Sequence, residues 1–193
     1  MSTFQFIEII AIITGLISVW HAKKESILVF PFGIITVSLS IYLFYKQSIL
    51  ANSAINFYYL LMNCYGWINW KRNNQKIQIS NCSKKENIIS AIIIIISFIS
   101  IAYVRWLWSI YQDNLHFLTL DLILDALTSS LFICAMWLMA NKKIEHWFFW
   151  IIGNTICIPF FFYQDLKGFS FLYLTYSIIA ILGYKEWNLK KLK

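Results

Sequence analysis

Residues 88–108 read IISAIIIIISFISIAYVRWLW, a stretch in which Arg105 is the only charged side chain. Crossing about 30 Å of hydrocarbon takes roughly 20 mostly apolar residues in a helix. This stretch meets that requirement, and almost nothing before Arg105 could do chemistry. It reads as a membrane-spanning spacer. Working outward, six further stretches qualify, at 4–20, 27–45, 50–70, 120–140, 147–163 and 169–184. Continuous apolar blocks of this length are the signature of spanning helices, whereas a membrane β-barrel shows about ten-residue segments of alternating polarity. The fold class is therefore an all-α integral membrane protein with seven transmembrane helices.

Composition agrees. Of 193 residues, 60% are hydrophobic, 19% aromatic and only 13% charged, too few charges to cover a soluble domain unless lipid covers the rest. The net charge of +7 does not point to nucleic acid, because the basic residues fall in short loops between apolar blocks, where lysines set membrane topology. Cys64, Cys82, Cys134 and Cys157 show no CxxC spacing, and His21, His116 and His146 no HxxxH spacing. No metal, disulfide framework or cofactor is expected. The first apolar stretch lacks a basic leader and a small-residue cleavage site, so it is expected to stay in the mature protein.

Seven spans place alternate loops on opposite sides. One side then carries Lys23, Lys24, Lys71, Arg72, Lys76, Lys84, Lys85, Lys142, Lys143, Lys185, Lys190, Lys191 and Lys193; the other carries Lys46, Arg105 and Lys167. The positive-inside rule makes the first side cytoplasmic. The N-terminus is expected outside, the C-terminus in the cytoplasm, and the longest loop, 71–87, also in the cytoplasm. The alternative is that the sixth and seventh stretches form one re-entrant hairpin.

An internal repeat is visible. Displacement by 117 positions lays Glu8 on Asp125, Trp20 on Trp137, Asn56 on Tyr173, Tyr59 on Tyr176, Gly66 on Gly183 and Trp70 on Trp187. Three further positions, absorbed in a loop, lay Glu25 on Glu145 and Gly33 on Gly153. Two three-helix units pointing the same way need an odd number of helices between them, and the spacer supplies one. The expectation is a single transporter domain over 1–193 with a 3+1+3 arrangement of parallel repeats: repeat one about 1–74, linker helix about 86–108, repeat two about 117–190. Such designs place the substrate at the repeat interface.

Polar groups inside spans are expensive and are the first functional candidates. Trp147, Trp150 and Asn154 follow one another at i, i+3 and i+7, so one helix face offers two indoles and a carboxamide. Indoles stack on heteroaromatic rings and attract cations, while an amide both donates and accepts. Asn56, Tyr59 and Asn63 repeat the spacing in the third stretch, and Tyr173 and Tyr176 occupy the related positions of the seventh. Interfacial placement of the tryptophans and helix-to-helix bonding by the asparagines are the competing structural readings. Glu8 and Asp125, two acids well within spans, invite a proton-coupling role or, near helix N-termini, a dipole-stabilised one. Pro159 with Gly153, and Pro31 with Gly33, mark helices able to bend. An intramembrane enzyme using Asp125 and His146 would need a nucleophile or metal that no motif provides, so the chain is not expected to be an enzyme. A structural membrane subunit would leave the polar interior groups without a task.

WxxWxxxN at 147–154, YGWxxW at 65–70, GYxxW at 183–187 and the Asn-Lys-Lys at 141–143 together resemble the PnuC family of bacterial vitamin transporters, known for nicotinamide riboside. The resemblance implies a SWEET-related fold of seven helices and uptake by facilitated diffusion across the bacterial inner membrane. It further implies trapping of the vitamin precursor through phosphorylation by a cytoplasmic kinase. By that resemblance Trp147, Trp150 and Asn154 bind substrate; Asn56 stands where many members carry Gln, one methylene longer, so thiamine or riboflavin is the alternative cargo. The partners implied are the small-molecule vitamin substrate and the lipid bilayer, with room for a homo-oligomer.

Overall fold

The computed structural model describes residues 3–46, 50–72, 78–111 and 119–192; of the groups named above, Lys76, His116 and Lys193 lie outside them. Among the described residues the chain forms seven helices: α1 Thr3–Lys23, α2 Val29–Lys46, α3 Leu50–Arg72, α4 Lys84–Tyr111, α5 Leu120–Ala140, α6 His146–Tyr163 and α7 Lys167–Lys191. Each coincides with one expected span. Helices α6 and α7 are separate, with 18 and 25 residues, about 27 and 37 Å long at 1.5 Å per residue, each long enough to cross about 30 Å or nearly so.

Local sequence explains several boundaries. Ser83 and Glu86 form a capping box at the start of α4: the Glu86 amide donates to Ser83 Oγ at 3.3 Å and the Ser83 amide to Glu86 Oε2 at 2.7 Å. Thr119 accepts from the Leu122 amide at the start of α5. Pro31 lies in the first turn of α2, where a missing N–H costs nothing, while Pro159 is interior to α6. The two prolines are thus not equivalent bending points.

Five helices, α1, α2, α4, α5 and α6, are long and apolar enough to cross a membrane. Helices α3 and α7 are long enough but more polar, so the expected seven spans qualify to different degrees. The reason lies in their residues. Asn52, Asn56, Asn63 and Asn69 on α3, and Lys185, Glu186, Lys190 and Lys191 at the end of α7, lower the hydropathy of helices that face the interior and one loop end.

Packing follows a closed order. Helix α1 packs on α2, α2 on α3, α5 on α6 and α6 on α7, while α1 meets α7 and α3 meets α5; α4 lies against α5. Six helices form a ring with α4 outside it. Ile88, Ile92, Ile95, Ile96, Ile99 and Tyr103 of α4 stay exposed, an apolar outer surface suited to lipid.

One displacement relates the two sides of this ring. Moving the bounds of α1 and α2 by 117 positions gives the bounds of α5 and α6. Glu25 and Lys142, also 117 apart, are non-glycine residues at left-handed φ of 58° and 53°, each in the turn after the first helix of its half. The three extra positions expected near Glu25 are therefore not there. Glu25 falls on Lys142 rather than Glu145, and Gly33 on Trp150 rather than Gly153.

The end of the bundle holding the C-termini of α1, α3, α5 and α7 gathers the basic residues and is tied together. Trp70 Nε1 donates to the Ala140 carbonyl at 3.2 Å and Trp187 Nε1 to the Ala22 carbonyl at 2.9 Å. Each indole therefore crosses to the opposite half. The two rings touch, with centroids 6.1 Å apart, and each meets a second aromatic edge to face: Phe30 on Trp70 at 5.0 Å, Trp147 on Trp187 at 5.8 Å. Gly66 and Gly183 make room, since a Cβ on Gly66 would strike the Phe30 ring and one on Gly183 the Trp147 ring. Above the indoles, Lys142 Nζ lies 2.7 Å from Glu25 Oε1 and 4.8 Å from the Trp70 ring centroid. The loop before α4 docks here as well, through Ser80 on the 142–144 backbone and Lys143 on Glu86 at 2.9 Å.

Trp187→Phe should remove one hydrogen bond from the Ala22 carbonyl and leave it only the Glu25 amide, costing about 0.5–1.5 kcal/mol. Thermal unfolding in detergent should show the loss, whereas Trp67→Phe at an exposed position should leave the transition in place.

Candidate binding cavity

A cavity of about 300 Å³ lies inside the ring, between the halves. It brings together all eight expected residues: Trp147, Trp150 and Asn154 from α6, Asn56, Tyr59 and Asn63 from α3, and Tyr173 and Tyr176 from α7. The i, i+3, i+7 spacing explains α3 and α6, and the helix contacts bring the two faces to one space. Inside the cavity the eight residues are not alike.

Trp150 presents its indole to the cavity with its back stacked on Phe132, centroids 5.0 Å apart and planes 26° from parallel. Asn154 is 4% exposed and makes no hydrogen bond among the described residues, so both ends of its amide can serve a ligand. Trp147 is 1% exposed. It therefore does not belong to an interfacial belt; it forms the floor of the cavity and wedges against Gly183, Trp187 and His146.

The α3 amides are partly occupied. Asn56 Nδ2 donates to the Asn52 carbonyl at 2.9 Å and Asn63 Nδ2 to the Tyr59 carbonyl at 2.8 Å, which leaves each Oδ1 as the available acceptor. Asn63 Oδ1 crosses directly over Gly33, where a Cβ would collide with it. Asn63 thus combines helix packing with a cavity position, and Asn56 is the freer of the two.

Tyr173 stacks on Phe161 at 5.2 Å and on Phe132 at 6.4 Å, and lies edge-on to Tyr176 at 6.1 Å. The second half thus contributes a wall of aromatic rings. The first half contributes small residues at the positions 117 earlier: Gly15 opposite Phe132, Gly33 opposite Trp150, Ala22 opposite Met139. Thr36 adds a hydroxyl, donating to Thr14 Oγ1 at 2.9 Å. The cavity has one flat aromatic side and one open, weakly polar side.

Phe132 was not legible as a site residue, because a Phe in an apolar α5 carries no signal of its own. The repeat was the available clue, since it places Phe132 on Gly15. Asp125 and Glu8 do not line this cavity. Asp125 pairs with Arg105 at 2.8 Å, and the same Arg105 nitrogen donates to Asn52 Oδ1 at 2.7 Å. A paired acid outside the cavity is a poor proton carrier. Toward the basic end the floor is shut by Phe30, Trp70, His146, Trp147 and Trp187, all buried.

Comparison with known proteins follows the same lines. The family model of the nicotinamide mononucleotide transporter matches residues 5–189. The nicotinamide riboside transporter PnuC of Escherichia coli K12 is 25% identical over 203 residues, covering 95% of this chain and 85% of that protein. The riboflavin/roseoflavin transporter RibM of Streptomyces davaonensis is 21% identical over 136 residues, covering 65% of this chain and 58% of that one. A crystal structure of the vitamin B3 transporter PnuC shares the fold with a TM-score of 0.71 at 20% identity, covering 95% of this chain and 81% of the other. With its apolar outer face and helices able to cross a bilayer, the chain is a multi-pass membrane protein of the PnuC, or nicotinamide mononucleotide transporter, family.

Proposed function

We propose that the chain carries nicotinamide riboside across the bacterial inner membrane by facilitated diffusion, and that a cytoplasmic kinase traps the product by phosphorylation. The observation that carries this reading is the two-sided cavity of about 300 Å³ between the halves. A pyridinium ring is flat and cationic. Trp150, Tyr173 and Tyr176 offer it π faces, and no carboxylate lines the cavity, so the cation is held by aromatic attraction. The ribose hydroxyls find Asn154, Asn56 Oδ1 and Asn63 Oδ1. Trp147 supports the ring from the floor and Tyr59 closes the α3 side.

The architecture in this reading is 3+1+3, with parallel repeats over about 1–74 and 117–190 and α4 as linker. The single offset of 117 and the paired contacts α1 with α7 and α3 with α5 support it. The seven-span topology puts the N-terminus outside and the basic end in the cytoplasm. Two facts favour passive flux: Asp125 is paired with Arg105, and Glu8 does not line the cavity. Riboflavin is the second reading, favoured by the RibM likeness; its three fused rings demand more room than one pyridine.

Calorimetric titration of the purified protein should give saturable binding of nicotinamide riboside and weaker binding of thiamine and riboflavin. Trp150→Ala should cost about tenfold in affinity and Asn154→Ala a few-fold to tenfold, since one decade is 1.4 kcal/mol. Ile99→Ala on the exposed face of α4 should cost nothing. Asn56→Gln should change the ratio between nicotinamide riboside and thiamine; unchanged affinities for both would remove Asn56 from the site.

Uptake into proteoliposomes should persist with the proton gradient collapsed and stop at equal concentrations. Accumulation above the outside level under an imposed gradient would instead assign coupling to an acid.

For orientation, Lys85→Cys should react with an impermeant thiol reagent from the cytoplasmic side and Gln164→Cys from outside. Native Cys82 should interfere little there, because burial, reinforced by the Glu145 carboxylate, pushes its thiol up to about 12 and keeps it protonated. Labelling of both positions from one side would contradict the topology.

A further inference from the structure

Glu8 lies about 7 Å inside the start of α1 at 1.5 Å per residue, in a groove of about 360 Å³ between α1 and α7 that is separate from the central cavity. Ile12 and Leu16 continue the same face of α1 at i+4 and i+8, and Phe169, Leu172 and Thr175 form the α7 wall. The acid has no ion pair or hydrogen bond among the described residues. Asp125, its counterpart 117 positions on, is differently placed: Arg105 of α4 pairs with it at 2.8 Å and also reaches Asn52 on α3. The residue 117 positions after Asn52 is Phe169, a wall of the groove. The groove is therefore the place on the first half that corresponds to the seat of Arg105 on the second, with the acid retained and no cation supplied. That comparison rests on the repeat reading proposed above; the groove and its unpaired carboxylate do not.

We propose that the groove binds a phospholipid with a primary ammonium headgroup, the ammonium paired with Glu8 and one acyl chain lying along Ile12, Leu16 and Leu172. The polarity of the groove matches that of a lipid from end to end. Its one charge sits near the helix termini, within two turns of the start of α1, and the walls deeper in are apolar. Phe171 at the rim is 71% exposed, so the groove opens to the surface that lipid covers. A primary ammonium has N–H donors to give a carboxylate and a quaternary one has none, so phosphatidylethanolamine should be preferred to phosphatidylcholine. A chain of net charge +7 would by itself favour anionic lipid, so preference for the zwitterionic amine at one site runs against the general field.

The test is native mass spectrometry of the protein released from nanodiscs of equal phosphatidylethanolamine, phosphatidylcholine and phosphatidylglycerol, read without substrate. Wild type should retain one phosphatidylethanolamine about threefold over either competitor, the scale of one partly exposed ion pair. Glu8→Gln should bring the three lipids to parity. Gly168→Phe, at a position where an added side chain meets nothing within 4 Å, should fill the groove and lower retention of the tightly held lipid. Equal retention of all three by wild type, an unchanged preference in Glu8→Gln, or a second copy of the chain held there in place of lipid would each overturn the proposal. Because no vitamin is present, its failure leaves the transport reading untouched, and failed vitamin uptake would leave the lipid result standing.

Discussion

Two indole N–H groups, of Trp70 and Trp187, gain from finding acceptors in a buried interior, because an unpaired donor there costs several kcal/mol. Trp70 and Trp187 find them only by reaching across to the last turn of the other half's first helix. That requirement fixes how the halves meet. With the rings in contact, Gly66 and Gly183 must stay bare so that Phe30 and Trp147 can close on them, and the cavity acquires an aromatic floor. Glu25 and Lys142 repeat the arrangement one layer out, as an ion pair between residues 117 positions apart. Both layers join residues 117 positions apart, which is where the proposed repeat would place an axis between its halves. The same end is also covered by the loop before α4. Release of a solute toward that side would have to separate these contacts.

The cavity owes its character to unequal residues on a common frame. Phe132, Trp150 and Met139 stand where the first half has Gly15, Gly33 and Ala22. Bulk on one side and its absence on the other leave open space beside a stacked wall, with amide oxygens from α3 at its edge. A symmetric choice would either fill the space or leave no face to stack on. The polarity of α3 and α7, which lowers their hydropathy below that of the other helices, belongs to the same division of labour.

Most of the fold was legible because lipid imposes a coarse rule, a run of apolar residues for each crossing, and loop lysines mark one side. Bounds of the spans and the gathering of basic residues at one end follow from that rule alone. The eight residues around Trp150 and Asn56 were legible for a related reason: amides and stacked indoles in a span are unusual enough to stand out. What escaped was residue-level packing. Phe132 is an ordinary Phe in an apolar helix until Gly153 lets it reach Trp150. The displacement between halves was misplaced by three positions after Glu25, because matching glycines at 33 and 153 is tempting when glycine is rare. Packing instead sets Gly33 against Asn63 and Gly153 against Phe132, two different uses of a missing side chain. Trp147 looked like an interfacial anchor from its place beside two lysines, yet those lysines fold inward onto Glu25 and Glu86 and leave the indole buried.

The pinning of the two halves about their axis is tested most directly by a charge exchange between Glu25 and Lys142, followed as thermal unfolding in detergent. Lys142 is 7% exposed, so Glu25→Lys and Lys142→Glu should each strand a buried charge, at a cost on the order of 3 kcal/mol. If these two residues face each other across the axis, the double variant restores the attraction with the roles reversed and should unfold at a higher temperature than either single variant, although Lys190 near Glu25 and the Trp70 face keep it below wild type. Losses that simply add in the double variant would contradict the account, because independent sites add and sites that face each other do not.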